Sequence, residues 1–157
     1  MKNLYAFLRE SNAIEGVYDA GSLEQSLYAW EYLISEDLLT NGVILKTHKI
    51  LMLNQPLQPE EKGHFRKVPV WIGGRKGKPH SAVPSLMAGW CEDVYTDING
   101  MRRLWKERHI EYEKIHPFVD GNGRTGRLFM NWQRIMTGLP VLVIKESEKH
   151  EYYKWFD

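Results

Sequence analysis

Within residues 116–127 the sequence HPFVDGNGRTGR places a histidine, a carboxylate, three glycines and two arginines in one short segment. Glycine weakens regular structure and unpaired charge is costly to bury, so this mixture does not suit a structural core. It suits a polyanion with a reactive end. Gly121, Asn122 and Gly123, directly before a helix read as starting near Arg124, aim backbone N–H groups and the positive end of a helix dipole at one point, where an anion belongs. Arg124 and Arg127 are three apart, hence neighbours on one helical face, and both can fork onto phosphate oxygens. So many donors fit a di- or triphosphate better than a single phosphate. Asp120 would repel that ligand unless a hard cation such as Mg²⁺ lies between them. His116 has a reference pKa close to neutrality, which suits a general base taking a proton from an incoming hydroxyl. Phe118 carries no polar chemistry and reads as the loop's anchor in the core. Taken singly, each of these residues has an ordinary structural reading; at this spacing they point together to one site.

The segment needs helices on both sides to position it, and the sequence supplies them. Residues 22–35 put Leu23, Leu27, Trp30 and Ile34 on one face, with Ser22 and Gln25 reading as a capping box. Ile44, His48, Leu51 and Met52 repeat the helical spacing behind a cap at Asn41. Helical patterning returns over 84–97, 101–115 and 124–137, where Gly138 and Pro140 are stop signals, and residues 146–155 read as a last helix. Between them, FRKVPVWIGGRKGKP over 65–79 flanks Gly73-Gly74 with β-branched and aromatic residues and predicts a β-hairpin. The expected architecture is mainly α, a single-domain helical bundle over 1–157 with one β-hairpin, and 116–127 as the loop between two helices.

Composition narrows the class. A chain of 157 residues with 43% hydrophobic and 26% charged residues and a formal net charge of +1 is an ordinary globular protein without a global pull toward nucleic acid or membrane. Charge is nevertheless uneven. Residues 1–41 carry two Lys/Arg against seven Asp/Glu, while 62–80 carry six Lys/Arg and no acid. Cys91 is the sole cysteine, which excludes an intramolecular disulfide, and its apolar setting reads as a buried thiol. No apolar run suits a secretory signal or a membrane span, so a cytoplasmic location is expected.

Residues 116–127 are identified with the signature of Fic-domain proteins (filamentation induced by cAMP), H-P-F-x-[D/E]-G-N-G-R-x-x-R, with every fixed position present. RLFMNW after the loop, the EYYKW ending, His109 seven residues before His116 and VWIGG in the hairpin are also similar to family features. The resemblance implies a Fic-type bundle and transfer of AMP from Mg-ATP to a Ser, Thr or Tyr hydroxyl of a target protein. It makes His116 the general base, Asp120 the Mg²⁺ ligand, Gly121, Asn122 and Gly123 the phosphate cradle, and Arg124 and Arg127 the holders of the β- and γ-phosphates. Asn131, Tyr152 and Tyr153 match positions lining a nucleoside pocket. Gly123 stands where phosphotransferring Doc-like relatives carry Lys, which favours nucleotidyl transfer.

In that family the hairpin is a flap whose edge pairs with an extended stretch of the target; Val70, Ile72 and Gly73 are the docking residues it implies here. Residues 1–20 hold SNAIEG, similar to the family's inhibitory motif, in which Glu15 pairs with Arg127. Ser11 and Glu15 are i and i+4 and share a helical face, and Gly16 ends the helix. The expected partners are ATP and a hydroxyl-bearing protein, with a homodimer or automodification also open, and no nucleic acid or membrane. Two other functions fit the same residues: removal of AMP from a modified protein, and a non-catalytic nucleotide- or peptide-binding module.

Overall fold

The computed structural model describes residues 2–157. The chain forms helices α1 (Leu4–Ile14), α2 (Ala20–Ile34) and α3 (Asn41–Leu51), then a hairpin of β1 (Trp71–Ile72) and β2 (Arg75–Lys76). It continues with α4 (Val83–Asn99), α5 (Trp105–Ile115), α6 (Asn122–Met136) and the short α7 (Lys149–Tyr153). This is the expected mainly helical bundle with one hairpin.

Helix α6 is the hub. From Arg124 to Gln133 every residue is buried, and the helix packs against α1, α2, α3, α4 and α5. A helix buried all round belongs at the centre of a domain, so the residues at its N-terminal end are held by the whole bundle. Trp30, Leu33, Ile44, Met87, Tyr112 and Phe129 are among the core residues around it. A second apolar cluster of Ile14, Met130, Ile144 and Tyr152 joins α1 to the end of the chain.

Several boundaries differ from the sequence reading, each for a local reason. The cap of α2 is Asp19, whose side chain accepts from the N–H of Ser22, so Ser22 is a recipient of capping and not its source. The cap of α3 is Thr40, accepting from Val43 N–H, in place of Asn41. Residues 101–104 do not continue a helix: Met101 is left-handed at φ 53° and α5 starts at Trp105. The terminal helix is broken into a 3₁₀ turn, α7 and a second 3₁₀ turn. In the hairpin, Gly73 and Gly74 have φ of 55° and 83°, the paired positive values that a tight two-residue turn of the I′ kind demands. The ladder is only two residues per strand, with Trp71 opposite Lys76 and Ile72 opposite Arg75. Val70 therefore lies outside it, although its carbonyl accepts from Gly77 N–H at 2.8 Å.

Candidate active site

Helix α5 ends at His116, which caps it in the left-handed region at φ 51° and ψ 66°. Pro117 follows, and Phe118 drops fully into the core, stacked on the ring of His48 at 3.7 Å. Asn122 then closes the loop on itself, its side chain accepting from Phe118 N–H and donating to Phe118 C=O, both at 2.8 Å. Gly121 makes the turn into α6 at φ 86°, and a Cβ there would stand 2.8 Å from the Met52 sulfur. Only glycine meets both demands.

His48, on α3, is the loop's hidden support. Its Nδ1 accepts from the Gly63 N–H at 2.9 Å, which leaves Nε2 as the donor to the Asp120 carbonyl, also at 2.9 Å. Burial depresses its pKa to about 4, so this neutral tautomer persists at neutral pH. Asp120 itself is exposed; its Oδ1 accepts from Gly121 N–H at 2.8 Å, and its second oxygen makes no hydrogen bond among the described residues.

Beside the N-terminal end of α6 opens a cavity of about 1030 Å³. His116, Gly123, Arg127, Tyr152, Tyr153 and Glu15 line one side of it, and Ile72 and Gly73 of the hairpin the other. His116 is half-buried, and burial, helped by the Arg66 charge, lowers its pKa despite the opposing influence of the Glu113 carbonyl and the Asp120 and Glu15 charges. Its imidazole is therefore neutral near pH 7 and able to accept a proton.

Arg127 is 2% exposed, and its guanidinium is held by three residues, two from α1 and its cap and one from α7. Nε donates to Ser11 Oγ at 2.8 Å, Nη2 to the Ser11 carbonyl at 3.0 Å and to Glu15 Oε1 at 2.8 Å, and Nη1 to the Tyr152 hydroxyl at 3.3 Å. Tyr152 in turn lies 2.6 Å from His109 Nε2. Burial, helped by the nearby Arg127 charge, depresses the pKa of His109 to about 3, so the neutral ring accepts and the Tyr152 hydroxyl donates. The pair Glu15–Arg127 lies directly over Gly123: a Cβ on that residue would be 2.5 Å from Glu15 Oε1 and 3.0 Å from Arg127 Nη1. A side chain at 123 and a docked Glu15 exclude each other.

Not every expected residue reaches this cavity. Gly121 and Asn122, read as cradle, build the loop and are buried in doing so. Arg124 is not beside Arg127 at the cavity; its guanidinium runs the other way, to Gln55 Oε1 at 3.4 Å and the Met52 sulfur at 3.6 Å. Three residues along a helix turn a side chain by about 60°, enough in a helix buried all round to send two arginines into different walls. Asn131 is not in the lining of this cavity; its amide donates to Leu142 C=O at 3.1 Å and accepts from Leu142 N–H at 2.7 Å, pinning the segment after α6. Asp120 and Val70 also lie outside the cavity lining.

Three contributors escaped the sequence reading. Arg66, one of the six basic residues of 62–80, is 2% exposed and donates to the carbonyls of His116, Val68, Lys78 and Ile115. His48 was legible only as a helix-face position. Glu113, in the middle of α5's charged stretch, turns its carboxylate into the cavity wall.

Comparison with known proteins is consistent with this geometry. The family model described as Fic/DOC matches residues 38–133. The "Protein adenylyltransferase Fic" of Culex quinquefasciatus is 31% identical over 122 residues, covering 76% of this chain and 24% of that protein. Its counterpart in Drosophila mojavensis is 30% identical over 152 residues, covering 92% of this chain and 28% of that protein. The chain thus spans about a quarter of the length of the curated relatives it matches. In fold it resembles a Fic-domain-containing signalling protein from Bacteroides thetaiotaomicron, with a TM-score of 0.82 at 20% identity, over 98% of this chain and 70% of that one.

Proposed function

The chain belongs to the Fic/DOC family, and on that premise we propose that it transfers AMP from Mg-ATP to a hydroxyl of a protein, with Glu15 restraining the reaction. The observation that carries the reading is the meeting, in one cavity, of a neutral His116, the N-terminal end of α6 at Gly123, and Arg127 already holding a carboxylate. In the reaction the target hydroxyl oxygen attacks the α-phosphorus, the new O–P bond forms as the bond to the β-phosphate oxygen breaks, and pyrophosphate leaves. His116 accepts the hydroxyl proton. Arg127 and the backbone N–H groups of α6 neutralise phosphate charge. Tyr152 and Tyr153 line the side of the cavity available to the nucleoside, and the hairpin edge at Ile72 and Gly73 the side available to the target.

Asp120, exposed just outside the cavity lining, is the acid that would hold the Mg²⁺, and its uncommitted oxygen fits an ion that keeps several waters and binds one or two carboxylates plus substrate phosphates. The cation would supply charge neutralisation at the phosphates.

Glu15 supports the restraint because its carboxylate occupies the Arg127 donors that a terminal phosphate would use. A pair of this separation is worth about 1–4 kcal/mol at surface-like dielectric, against about 8 kcal/mol for micromolar nucleotide binding. It misplaces ATP more readily than it excludes it. Among the described residues no helix is long and apolar enough to cross a membrane. The test is label transfer from α-labelled Mg-ATP, read by intact mass in a lysate: Glu15→Gly raises transfer and adding His116→Ala abolishes it. Equal transfer by wild type and Glu15→Gly removes the restraint, transfer surviving His116→Ala removes the mechanism, and net loss of AMP from a modified target reverses the direction.

A further inference from the structure

One carboxylate in the cavity has no role in the scheme above. Glu113 lies one turn before His116 on α5, and its side chain is half-buried while Oε1 is shut off from solvent with no hydrogen-bond partner among the described residues. It reaches that position because residue 126 is glycine: a Cβ there would stand 2.7 Å from Glu113 Oε1. The oxygen thus lies against the backbone of α6, one residue from Arg127.

The groups that face Glu113 are His109 and His116 from its own helix, Arg127 from α6, Glu15 from the end of α1, and Tyr152 and Tyr153 from α7. Both histidines have depressed pKa values and both tyrosines raised ones, so the charges beside Glu113 are those of the Arg127–Glu15 ion pair. Arg75, Lys76 and Lys78 of the hairpin region, with Lys114 and Asp157, line the same cavity. Two carboxylates therefore line the cavity beside one guanidinium, Glu15 paired with it at 2.8 Å and Glu113 in the same wall without an ion pair to it. Of its five N–H donors, four are engaged by Ser11 Oγ, the Ser11 carbonyl, Glu15 and Tyr152, and one on Nη1 is left over. When two acids share a site, the more buried one keeps its proton. Burial pushes Glu113 up to about 7, Arg127 opposing and Glu15 reinforcing that rise.

We propose that Glu113 is a further determinant of nucleotide binding: as a neutral acid it leaves Arg127 open to a terminal phosphate, and as a carboxylate it competes with that phosphate when Glu15 withdraws. The proposal rests on Arg127 being a phosphate-binding group. Polyphosphate bound beside Glu113 adds negative charge and holds the proton on it, so binding takes up a proton. Affinity then falls as pH rises through the Glu113 pKa. Removing Glu15 abolishes one competitor but not the other.

The experiment compares Glu15→Gly with Glu15→Gly/Glu113→Gln, titrating each with a Mg-ATP analogue whose α–β link cannot be cleaved, by calorimetry at pH 6 and pH 8. AMP, which lacks the outer phosphates, serves as control. In the single variant, affinity for the analogue falls about tenfold for each unit by which the bound phosphate displaces the Glu113 pKa. The double variant keeps only the ligand's own titration and binds at pH 8 more tightly than the single one, while AMP binding is the same in both. Glu113→Val in place of Gln gives the same flattening if charge is the cause. Equal pH dependence in single and double variants overturns the proposal. Absence of analogue binding in every form overturns the nucleotide-site reading on which it rests, and the proposal with it.

Discussion

Arg66 donates from Nε to the carbonyl oxygen of His116 at 2.7 Å, while its Nη2 donates to Lys78 C=O at 2.6 Å at the far base of the hairpin. One buried guanidinium thereby sets the distance between the residue proposed to take the proton and the strand proposed to hold the target. Its own backbone N–H adds a bond to Pro117 C=O at 2.9 Å. Replacing Arg66 by Met strands several carbonyls in a site closed to water, at about 1–3 kcal/mol for each group left unpaired. We expect Arg66→Met to lower unfolding stability by about 2–4 kcal/mol in urea titration and to reduce AMP transfer more than nucleotide binding. Wild-type transfer by the variant would show that the hairpin and His116 are not coupled through this residue.

Gly126 tests the packing between α5 and α6. Alanine in a helix gains up to about 1 kcal/mol over glycine, but here the added Cβ would meet His109 Cε1 and Tyr112 Cδ1, both at 3.0 Å, as well as Glu113. The two rings are locked by Tyr152 and Thr125, so they cannot swing aside as a free side chain would. Overpacking of this kind costs about 1–3 kcal/mol. Gly126→Ala is therefore expected to be less stable than wild type by chemical denaturation, and a gain in stability would mean that the interface is looser than its distances imply.

The acid limb of the stability curve has an identifiable source. His48 titrates near 6.5 when unfolded and at about 4 when folded, because burial opposes its charge. Between those values the unfolded chain binds the extra proton, so stability is full above pH 6.5 and falls as pH drops toward 4. The loss attributable to His48 is about 3 kcal/mol. His109 acts in the same direction to lower pH, whereas Glu113, raised to about 7, loses stability as pH rises from the ordinary carboxylate range to 7. Comparison with a His48→Gln variant isolates the first effect: its melting temperature should change less between pH 6.5 and 4 than that of wild type. Parallel curves would remove His48 as the cause.

Tyr152→Phe removes one hydroxyl that both accepts from Arg127 and donates to His109. The ring contacts with Trp155 and Phe156 remain, at centroid distances of 5.1 and 5.3 Å. Losing the two hydrogen bonds leaves His109 Nε2 without a donor, a cost of about 1–3 kcal/mol. The chain of positions from His109 to Arg127 predicts that the KM for ATP rises, by about tenfold for each 1.4 kcal/mol of terminal-phosphate binding lost, with a smaller change in kcat. A fall in kcat alone would place Tyr152 outside the phosphate contact.

The sequence was most legible where partners are close along the chain. The turn between α5 and α6, the helix-sharing pair Ser11 and Glu15, and the turn at Gly73-Gly74 are governed by local geometry, and the structure places them close to where their spacing implies, α6 starting at Asn122. The docking of Glu15 on Arg127, 112 residues away, followed from the family resemblance and not from spacing. The partners of Arg124, Asn131 and Arg66 are not legible in the sequence because they are groups that local sequence does not bring near: Gln55, Leu142 and the carbonyls at the end of α5. A charged residue in a basic stretch looks like solvated surface until the fold encloses it. Glu113 shows the same limit in reverse, since nothing in a helix of mixed charges marks the one acid that faces inward.

Glu15 caps a helix whose Phe7 and Leu8 are sunk in the central core, and it reaches Arg127 within a single polypeptide. The restraint proposed for Glu15 would thus be mounted on a packed helix and not on a loose tail. Rotation about the side-chain bonds of this one glutamate, which lines the open cavity, would suffice to free Arg127 without moving the helix that carries it.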